Sequence, residues 1–410
     1  MNVARPWFSV PVMPHQARVV WAQSFTDYDF GAHHPMNPVR LDLTARMCDA
    51  FGLFGLPDVD VVGVGVPGDE LLLSVHDPSY VEAVRALSVD PGLADGSWGL
   101  GTEDNPAFAG MHDAAARIAA GSVEAARAVW SGEFEHGVNF CGGHHHAMRG
   151  YASGFCVYND AALSIQWLLD HGATRVAYVD LDVHHGDGVE RIFWDDPRVL
   201  TISLHESGQV LFPGTGYAGD IGGPDARGSA VNVALPPDTG DAAWLRAFHA
   251  VVPPLVRSFD PSVLVSQHGC DSHILDPIAH LALSVDAQRA SYVSVHDLSH
   301  EVCDGRWVAL GGGGYEVVDV VPRAWTHLTA IAAHRPIDVS ATVPQEWLDY
   351  VRTRFGRGAA ASMGDGVSTS GRVWWRPWEL GYDPEDPVDQ AVMATREAVF
   401  PARGLDTWFD

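Results

Sequence analysis

The chain has 410 residues, of which 47% are hydrophobic and 19% are charged, a composition typical of a soluble globular protein rather than a disordered one. The 52 acidic residues outnumber the 25 basic ones, all of which are arginine, so the formal net charge is −27. We therefore expect no nucleic-acid binding, and no membrane insertion because no apolar run approaches about 20 residues.

Helical patterns in the first half of the chain cover residues 37–51, 77–87, 106–130 and 160–170. Pro38 and Pro78 stand at the first helical positions of the first two, where the missing N–H of proline costs nothing. The third pattern is rich in alanine and predicts one helix or two, with Gly121 as the dividing point.

Short apolar segments bounded by turn-forming residues predict five strands, at 176–180, 199–204, 231–235, 263–266 and 307–310. Each strand is expected to be followed by a loop and then a helix. This alternation predicts an α/β fold with a mostly parallel central sheet flanked by helices on both faces. Ligands of such sheets bind beyond the carboxyl ends of the strands, so the loops there are candidate functional sites.

We expect a single domain over residues 1–410, with a catalytic core at about 20–335. The stretch at about 340–410 is rich in Trp, Pro and Asp and lacks apolar residues for a core of its own. We therefore expect it to be an extension packed on the core. Within it, residues 356–372 are predicted to form a flexible loop because they are mostly Gly, Ala, Ser and Thr.

The cysteines and the N-terminus predict a cytoplasmic protein. The five cysteines are scattered and contain no CxxC pair, which is typical of buried, reduced thiols. Arg5 and Arg18 have no long apolar segment between them, so no secretory signal is expected.

The densest group of potential metal ligands follows the first predicted strand. Asp180, Asp182 and His184 alternate with apolar residues, which on an extended chain places them on one face. Asp271 lies just beyond the fourth predicted strand, where a helix cap is the alternative reading. Asp182, His184 and Asp271 would leave coordination positions open, as catalytic sites do. Two carboxylates and one imidazole suit zinc, and also Fe(II), Co(II) or Mn(II).

Three consecutive histidines, residues 144–146, stand in a loop that begins with two glycines. A neutral histidine beside a metal is a candidate general base, and its neighbour can hold the opposite protonation state. Asp180 and Asp187 are candidates to orient these rings. A polar loop without a catalytic role and a second metal site remain the alternatives.

Four glycines precede Tyr315, directly after the last predicted strand. The segment lacks the GK[ST] ending and the GxGxxG spacing of phosphate-binding loops. A glycine loop that brings the hydroxyl of Tyr315 to a metal site is the better interpretation, since that hydroxyl could donate to an oxyanion on the substrate.

Together these motifs resemble the histone deacetylase and acetoin-utilisation deacetylase family, in its bacterial class I-like branch, which has an arginase-like α/β fold. The resemblance covers about residues 28–335. The motifs that carry it are, in chain order, His34-Pro35-Met36-Asn37-Pro38-x-Arg40, Gly142-Gly143-x-His145-His146-Ala147, Ser153-Gly154-Phe155-Cys156, Tyr178-Val179-Asp180-Leu181-Asp182, His184-His185-Gly186-Asp187-Gly188, Phe212-Pro213-Gly214-Thr215-Gly216 and Gly311 to Tyr315.

The resemblance implies a role for each of these site residues. Zinc, or alternatively Fe²⁺, would be held by Asp182, His184 and Asp271. The catalytic residues would be His145 and His146 as a tandem pair backed by Asp180 and Asp187, with Tyr315 acting in the transition state. Substrate would be bound by the aromatic walls Phe155 and Phe212, the carbonyl of Gly154 and the rim residue Asp104. A structural K⁺ or Na⁺ would be held by Asp180, Asp182, His184, Ser203 and Leu204.

The family's activity implies hydrolysis of acetyl or other short acyl groups from protein lysine, with acyl-CoA synthetases among the substrate proteins. An amidohydrolase of acetylated polyamines or another small acylated amine is the alternative. A non-catalytic acyl-lysine reader or metal-stabilised scaffold would lack a ligand, the tandem histidines or Tyr315, and all of these are present. A dimetal ureohydrolase would need further Asp or His ligands where the tandem histidines stand.

Overall fold

The computed structural model describes residues 17–368 and 372–410, and the strands in these ranges form one sheet. They are β1 Ala17–Val20, β2 Val59–Val62, β3 His136–Asn139, β4 Val176–Asp180, β5 Val199–Glu206, β6 Ala230–Leu235, β7 Val263–Gln267 and β8 Trp307–Leu310. Their order across the sheet is β2-β1-β3-β8-β7-β4-β5-β6, and every neighbouring pair is parallel. The predicted α/β fold with a parallel sheet is confirmed.

Helices surround this sheet in the order α1 Val39–Ala50, α2 Asp69–Leu73, α3 Pro78–Val89, α4 Met111–Trp130, α5 Asp160–Asp170, α6 Asp187–Ile192, α7 Asp241–Phe259, α8 Val285–Cys303, α9 Val321–Ala332, α10 Gln345–Phe355 and α11 Pro387–Val399. Every residue of β3, β4, β5, β7 and β8 is buried. Burial of alternate side chains on both faces is what a parallel sheet covered by helices requires. Within the described ranges, none of the helices combines the length and apolar character of a membrane span.

The predicted helices are close to the observed ones, with two instructive differences. Pro78 is the first residue of α3 as expected, but Pro38 is the cap of α1, which begins one residue later. The helix of the third predicted pattern, α4, begins only after Gly110 and continues unbroken through Gly121. A Cβ on Gly121 would lie 2.9 Å from the side-chain Nδ2 of Asn139 and 3.1 Å from the Phe25 ring. The glycine therefore serves close packing rather than a break in the helix.

The predicted strands are all present, but three strands were missed. β4 and β8 have the predicted bounds, and β5, β6 and β7 are one or two residues longer. β1, β2 and β3 are four-residue strands whose apolar runs are interrupted by Arg18, by Asp60, and by His136 and Gly137, whereas the equally short β8 is wholly apolar. The expectation of a helix after every strand is wrong for β5, because the fully described loop 207–229 leads to β6 without one.

The C-terminal stretch contacts the core through α10, α11 and the segment between them. The indole Nε1 of Trp347 on α10 donates to the Leu43 carbonyl at 2.9 Å, and Val392 of α11 is fully buried in the main apolar core. In the predicted flexible loop, Met363 is fully buried and Asp365 pairs with Arg323 at 2.8 Å, so this part is anchored. Two stretches lie outside the described residues. One is 369–371 of that loop, and the other is 1–16, in the N-terminal segment that is expected to lack a secretory signal.

Candidate active site

The candidate functional residues converge at the carboxyl ends of four adjacent strands, β3, β8, β7 and β4. The loop after β3 carries the tandem histidines, and the loop after β4 carries Asp182 and His184. The loop after β7 carries Asp271, and the glycine loop after β8 ends at Tyr315. Because parallel strands end on the same edge of the sheet, segments far apart in the sequence meet here.

Asp182, His184 and Asp271 form a compact, buried ligand set. One ligand atom of each lies within 4.8 Å of those of the other two. The Nδ1 of His184 is 3.1 Å from Asp182 Oδ1 and 3.2 Å from Asp271 Oδ2. Buried carboxylates need a counter-charge or a metal. Two carboxylates and one imidazole nitrogen that converge in this way fit a divalent transition-metal ion.

Neighbouring groups hold these carboxylates in place. The Oδ2 of Asp182 accepts hydrogen bonds from Gln267 Nε2 at 2.7 Å and from the backbone N–H of Gly313 at 2.8 Å. The Oδ1 of Asp271 accepts from the N–H of Val183 at 3.0 Å. Such second contacts orient metal-binding side chains and fix which oxygen faces the ion. A Cβ on Gly313 would overlap the carboxylate of Asp271, so only glycine allows this approach.

His145 and His146 are each held by a carboxylate and face each other. The Nδ1 of His145 is 2.8 Å from Asp180 Oδ2, and the Nδ1 of His146 is 2.7 Å from Asp187 Oδ1. The two Nε2 atoms are 3.0 Å apart. Because a nitrogen–nitrogen contact of this length needs one donor and one acceptor, one proton lies between the rings.

The environments of the two histidines move their pKa values in opposite directions. Burial opposes the charge on His145, but the carboxylates of Asp180 and Asp182 outweigh it and raise its pKa to about 9. Burial and the neighbouring His145 lower the pKa of His146 to about 4, against the effect of Asp187. His145 therefore carries the proton, and His146 is neutral with an acceptor nitrogen.

The residues assigned to a monovalent cation lie beside this ligand set. Asp180 is the last residue of β4, and the register with β5 places it opposite Ser203, with Leu204 next along β5. The Oγ of Ser203 is 2.8 Å from the Nδ1 of His205. The structure thus places these oxygen-bearing residues near Asp182 and His184.

A cavity of about 250 Å³ leads from the surface to this set of residues. It is lined by Asp104, His146, Gly154, Phe155, His184, Leu211, Phe212, Ile278 and Tyr315. The Phe212 ring centre is 5.0 Å from that of His146, and the Phe155 ring meets Tyr315 edge-on at 5.7 Å. Asp104 is exposed at the rim. A Cβ on Gly154 would strike the His146 ring, so glycine keeps the channel open.

Tyr315 faces this channel from the end of the glycine loop. Its backbone N–H donates to Asp276 Oδ2 at 2.9 Å, which fixes where the loop ends. Burial, together with the carboxylates of Asp271 and Asp182, raises the pKa of the Tyr315 hydroxyl. The hydroxyl therefore keeps its proton and can donate a hydrogen bond into the channel.

A second, small cavity of about 10 Å³ lies beneath the site and is lined by Arg40 and His144. The Nη1 of Arg40 donates to the carbonyls of Gly312 and Gly314 at 2.8 and 3.1 Å, so it supports the glycine loop from below. Burial lowers the pKa of His144 to about 4, which keeps this ring neutral.

Sequence reasoning missed three residues of the site: Gln267, Asp276 and Ile278. Gln267 stands directly after a predicted strand, in the same run as Asp271, and this position was the available signal. Asp276 and Ile278 belong to no dense motif, and only the folded loop after β7 brings them to Tyr315 and the channel.

Comparison with known proteins identifies the class to which this site belongs. The histone deacetylase domain family matches residues 34–332 of the chain. The chain belongs to the histone deacetylase family and is a deacetylase, which confirms the resemblance stated from the motifs.

Similar individual proteins carry the name acetoin utilization protein AcuC. The chain is 39% identical to that of Bacillus subtilis (strain 168) over 331 residues, which is 80% of this chain and 84% of the relative. It is 37% identical to that of Staphylococcus aureus (strain MSSA476) over 332 residues, 80% of this chain and 85% of the relative. With the protein of Staphylococcus xylosus the identity is 35% over 334 residues, covering 80% and 85% of the two chains.

Proposed function

We propose that this deacetylase is a metal-dependent hydrolase that removes acetyl or other short acyl groups from protein lysine and releases a carboxylate and the free amine. The observation that carries the proposal is the position of the Asp182, His184 and Asp271 set at the end of a narrow channel, between a neutral histidine and a protonated tyrosine. Amide hydrolysis needs an electrophilic carbonyl, an activated water and a donor for the oxyanion, and this arrangement has a candidate for each.

Asp182, His184 and Asp271 would hold the metal ion, which we propose to be Zn²⁺, with Fe²⁺ as the alternative. A bound ion of this kind polarises the scissile carbonyl and lowers the pKa of an adjacent water. The Asp182 carboxylate is already oriented by Gln267 and by the backbone N–H of Gly313, and the Asp271 carboxylate by the N–H of Val183, so the ligand set is preorganised.

The tandem histidines would handle the protons. Once its 3.0 Å contact with the Nε2–H of His145 opens, the Nε2 of His146 would accept a proton from the attacking water and later return one to the leaving lysine amine. The Asp187 carboxylate holds the Nδ1–H of His146 and keeps that nitrogen from acting instead. His145, charged and held by Asp180, stabilises the negative charge that forms beside it.

The hydroxyl of Tyr315 would donate to the oxyanion of the tetrahedral intermediate. A hydrogen bond to a charged acceptor is about twice as strong as one to a neutral acceptor, so this contact strengthens as the reaction proceeds. The glycine loop and Asp276 fix its position before substrate arrives.

The channel fits the stem of one extended side chain. Its volume of about 250 Å³ lies below the usual range of small-molecule pockets, and Phe155 and Phe212 supply aromatic walls for methylene groups. The carbonyl of Gly154 would accept the substrate amide N–H. Asp104 at the rim would accept hydrogen bonds from the backbone of a bound peptide.

We propose acylated protein lysines as the physiological partners, including those of acyl-CoA synthetases, and a cytoplasmic location. The location is supported by the five cysteines, all of which are buried and free. A structural K⁺ or Na⁺ beside Asp180 and Ser203 would help to hold the loop after β4.

A substrate panel tests the proposal. Metal-free protein is reloaded with Zn²⁺ or Fe²⁺ and assayed on acetyl-, propionyl-, crotonyl- and lactyl-lysine peptides and on acetylated polyamines. We expect the highest kcat/KM on an acyl-lysine peptide. A preference for the polyamines would replace the proposed substrate by the small-amine alternative, and no hydrolysis of any member would overturn the proposed activity.

A further inference from the structure

The opposite edge of the sheet carries a second cluster of potential ligands that the catalytic chemistry does not use. His136 is the first residue of β3, His296 and His300 lie one turn apart on α8, and His334 follows α9. One nitrogen of each ring lies within 4.8 Å of one nitrogen of each of the other three. The cluster stands at the amino ends of the strands, whereas the active site stands at their carboxyl ends.

The spacing of the four rings is that of tetrahedral coordination. With metal–nitrogen bonds of about 2.0–2.1 Å, tetrahedral geometry places ligand nitrogens about 3.3 Å apart and imidazole ring centres about 5 Å apart. The Nε2 atoms of His296 and His300 are 3.2 Å apart. The six distances between the four ring centres all fall between 4.6 and 5.5 Å.

An oxygen atom also lies within 3.4 Å of one nitrogen of each ring. The Nδ1 of His136 donates to the Ala332 carbonyl at 2.8 Å, and the Nδ1 of His296 is 3.1 Å from an Asp297 carboxylate oxygen. Glu135 serves the other two rings. Its Oε1 is 3.4 Å from His300 Nδ1 and its Oε2 is 3.2 Å from His334 Nε2. A metal-binding histidine usually has an oxygen acceptor at its second ring nitrogen, and the Nδ1 atoms of His136 and His296 have such an acceptor.

His136 gives an independent indication of a missing ligand. Its side chain is fully buried, and its Nε2 has no hydrogen-bond partner. Since Nδ1 donates to the Ala332 carbonyl, the neutral ring has its lone pair on Nε2. An imidazole nitrogen buried without a partner is costly unless something binds it. A hydrogen bond between His296 and His300 would explain those two rings but not this atom.

The geometry points to a second metal site, in which His136, His296, His300 and His334 bind one Zn²⁺. An all-imidazole tetrahedral set suits zinc, and it shares no ligand with the active site. The side chains of His296 and His334 are 15% and 17% exposed, so the ion can enter from solvent. Bound there, it would tie β3, α8 and the end of α9 together.

Zinc content separates this site from the catalytic one. Four proteins are stripped with a chelator, incubated with Zn²⁺, desalted and analysed for zinc per chain: the wild type, Asp271→Ala, His296→Gln/His300→Gln, and the triple variant. We expect two zinc equivalents per chain in the wild type, one in Asp271→Ala, one in His296→Gln/His300→Gln, and none in the triple variant. His171→Gln changes an exposed histidine outside both clusters and should keep two. The His296→Gln/His300→Gln protein should retain the wild-type hydrolysis rate.

Two results would overturn the site. One is that His296→Gln/His300→Gln binds as much zinc as the wild type, and the other is that Asp271→Ala binds no zinc. A measurement on protein with the cluster intact guards against misfolding of the glutamine variant. Co²⁺ added to Asp271→Ala should give the visible absorption of tetrahedral cobalt, and Zn²⁺ should raise its Tm. Absence of both effects would also overturn the site.

Discussion

The protonation of the tandem histidines follows from where their nitrogens lie. Both Nδ1 atoms face carboxylates, so both carry hydrogen, and the Nε2 atoms 3.0 Å apart share a single proton. The stronger field of carboxylates around His145 assigns that proton to His145. Two chemically identical side chains, adjacent in the sequence, thus become a charged ring and a neutral base through their surroundings.

Replacing each histidine in turn should reveal this division of roles. His146→Ala is expected to lower kcat by about 10²–10⁴-fold, the usual contribution of a general base. His145→Ala should lose less, because it removes charge stabilisation and keeps the base. Steady-state kinetics gives the ranking, and binding of a hydroxamate inhibitor controls for an intact metal centre. The reverse ranking would exchange the two roles.

Tyr315→Phe tests the oxyanion donor. Removing one such donor commonly lowers kcat by about 10²–10³-fold, and KM should change little because the contact matters mainly in the transition state. Steady-state kinetics on an acetyl-lysine peptide, with thermal melting, measures both effects. Tyr350→Phe, whose half-buried hydroxyl contacts Asp42 and does not line the channel, is the matched control. A near-normal rate in folded, metal-loaded Tyr315→Phe protein would exclude the donor role.

At the scale of elements, uninterrupted apolar runs and helical periods were predictable, and short strands interrupted by polar residues were not. β4, β8 and α5 have the predicted bounds, because β8 is a wholly apolar run, β4 is apolar up to its last residue, and α5 is long enough to show a helical period. β3 contains a histidine, a glycine and an asparagine, and it is a strand only because β1 and β8 pair with it.

The same contrast holds for the candidate site. The motifs after β3, β4, β7 and β8 could be predicted to meet, because strand ends in a parallel sheet share one edge. Asp276 could not be predicted, since its contact with the N–H of Tyr315 depends on the path of an irregular loop. The four-histidine cluster joins residues from three elements, of which only His296 and His300 show a helical spacing in the sequence.

The attachment of α11 depends on a buried ion pair. Arg246 on α7 makes two hydrogen bonds to the Asp389 carboxylate, at 2.5 and 2.8 Å, and Asp389 is fully buried. Removing one partner of such a pair leaves a buried charge, so Asp389→Ala should lower the free energy of unfolding by about 3–5 kcal/mol. Denaturant unfolding checks this value.

An exposed ion pair provides the control for Asp389→Ala. Arg257 and Glu301 make a similar bidentate contact, at 2.6 and 2.9 Å, but their side chains are 52% and 50% exposed. Glu301→Ala should cost less than about 1 kcal/mol. Equal effects of Asp389→Ala and Glu301→Ala would mean that the buried pair does not anchor α11.

For the whole molecule, the net charge of −27 should attract cationic substrates. The Debye length shrinks from about 30 Å at 0.01 M salt to about 8 Å at 0.15 M, so added salt screens this attraction. We expect KM for an acetyl-lysine peptide flanked by arginines to rise with salt, while KM for an uncharged peptide of equal length stays constant. Parallel salt dependences for the two peptides would show that the overall charge does not select substrates.

Release of acetate from an acetyl-lysine peptide, followed as Zn²⁺ is added back to metal-free protein, addresses the catalytic proposal as a whole. We expect the wild type to regain hydrolysis as the ligand set of Asp182, His184 and Asp271 fills. Asp271→Ala should stay at background at every zinc concentration, because one of its two carboxylate ligands is missing. Hydrolysis by folded Asp271→Ala at the wild-type rate, or no hydrolysis by the zinc-loaded wild type, would contradict metal-dependent removal of acyl groups from lysine at this site.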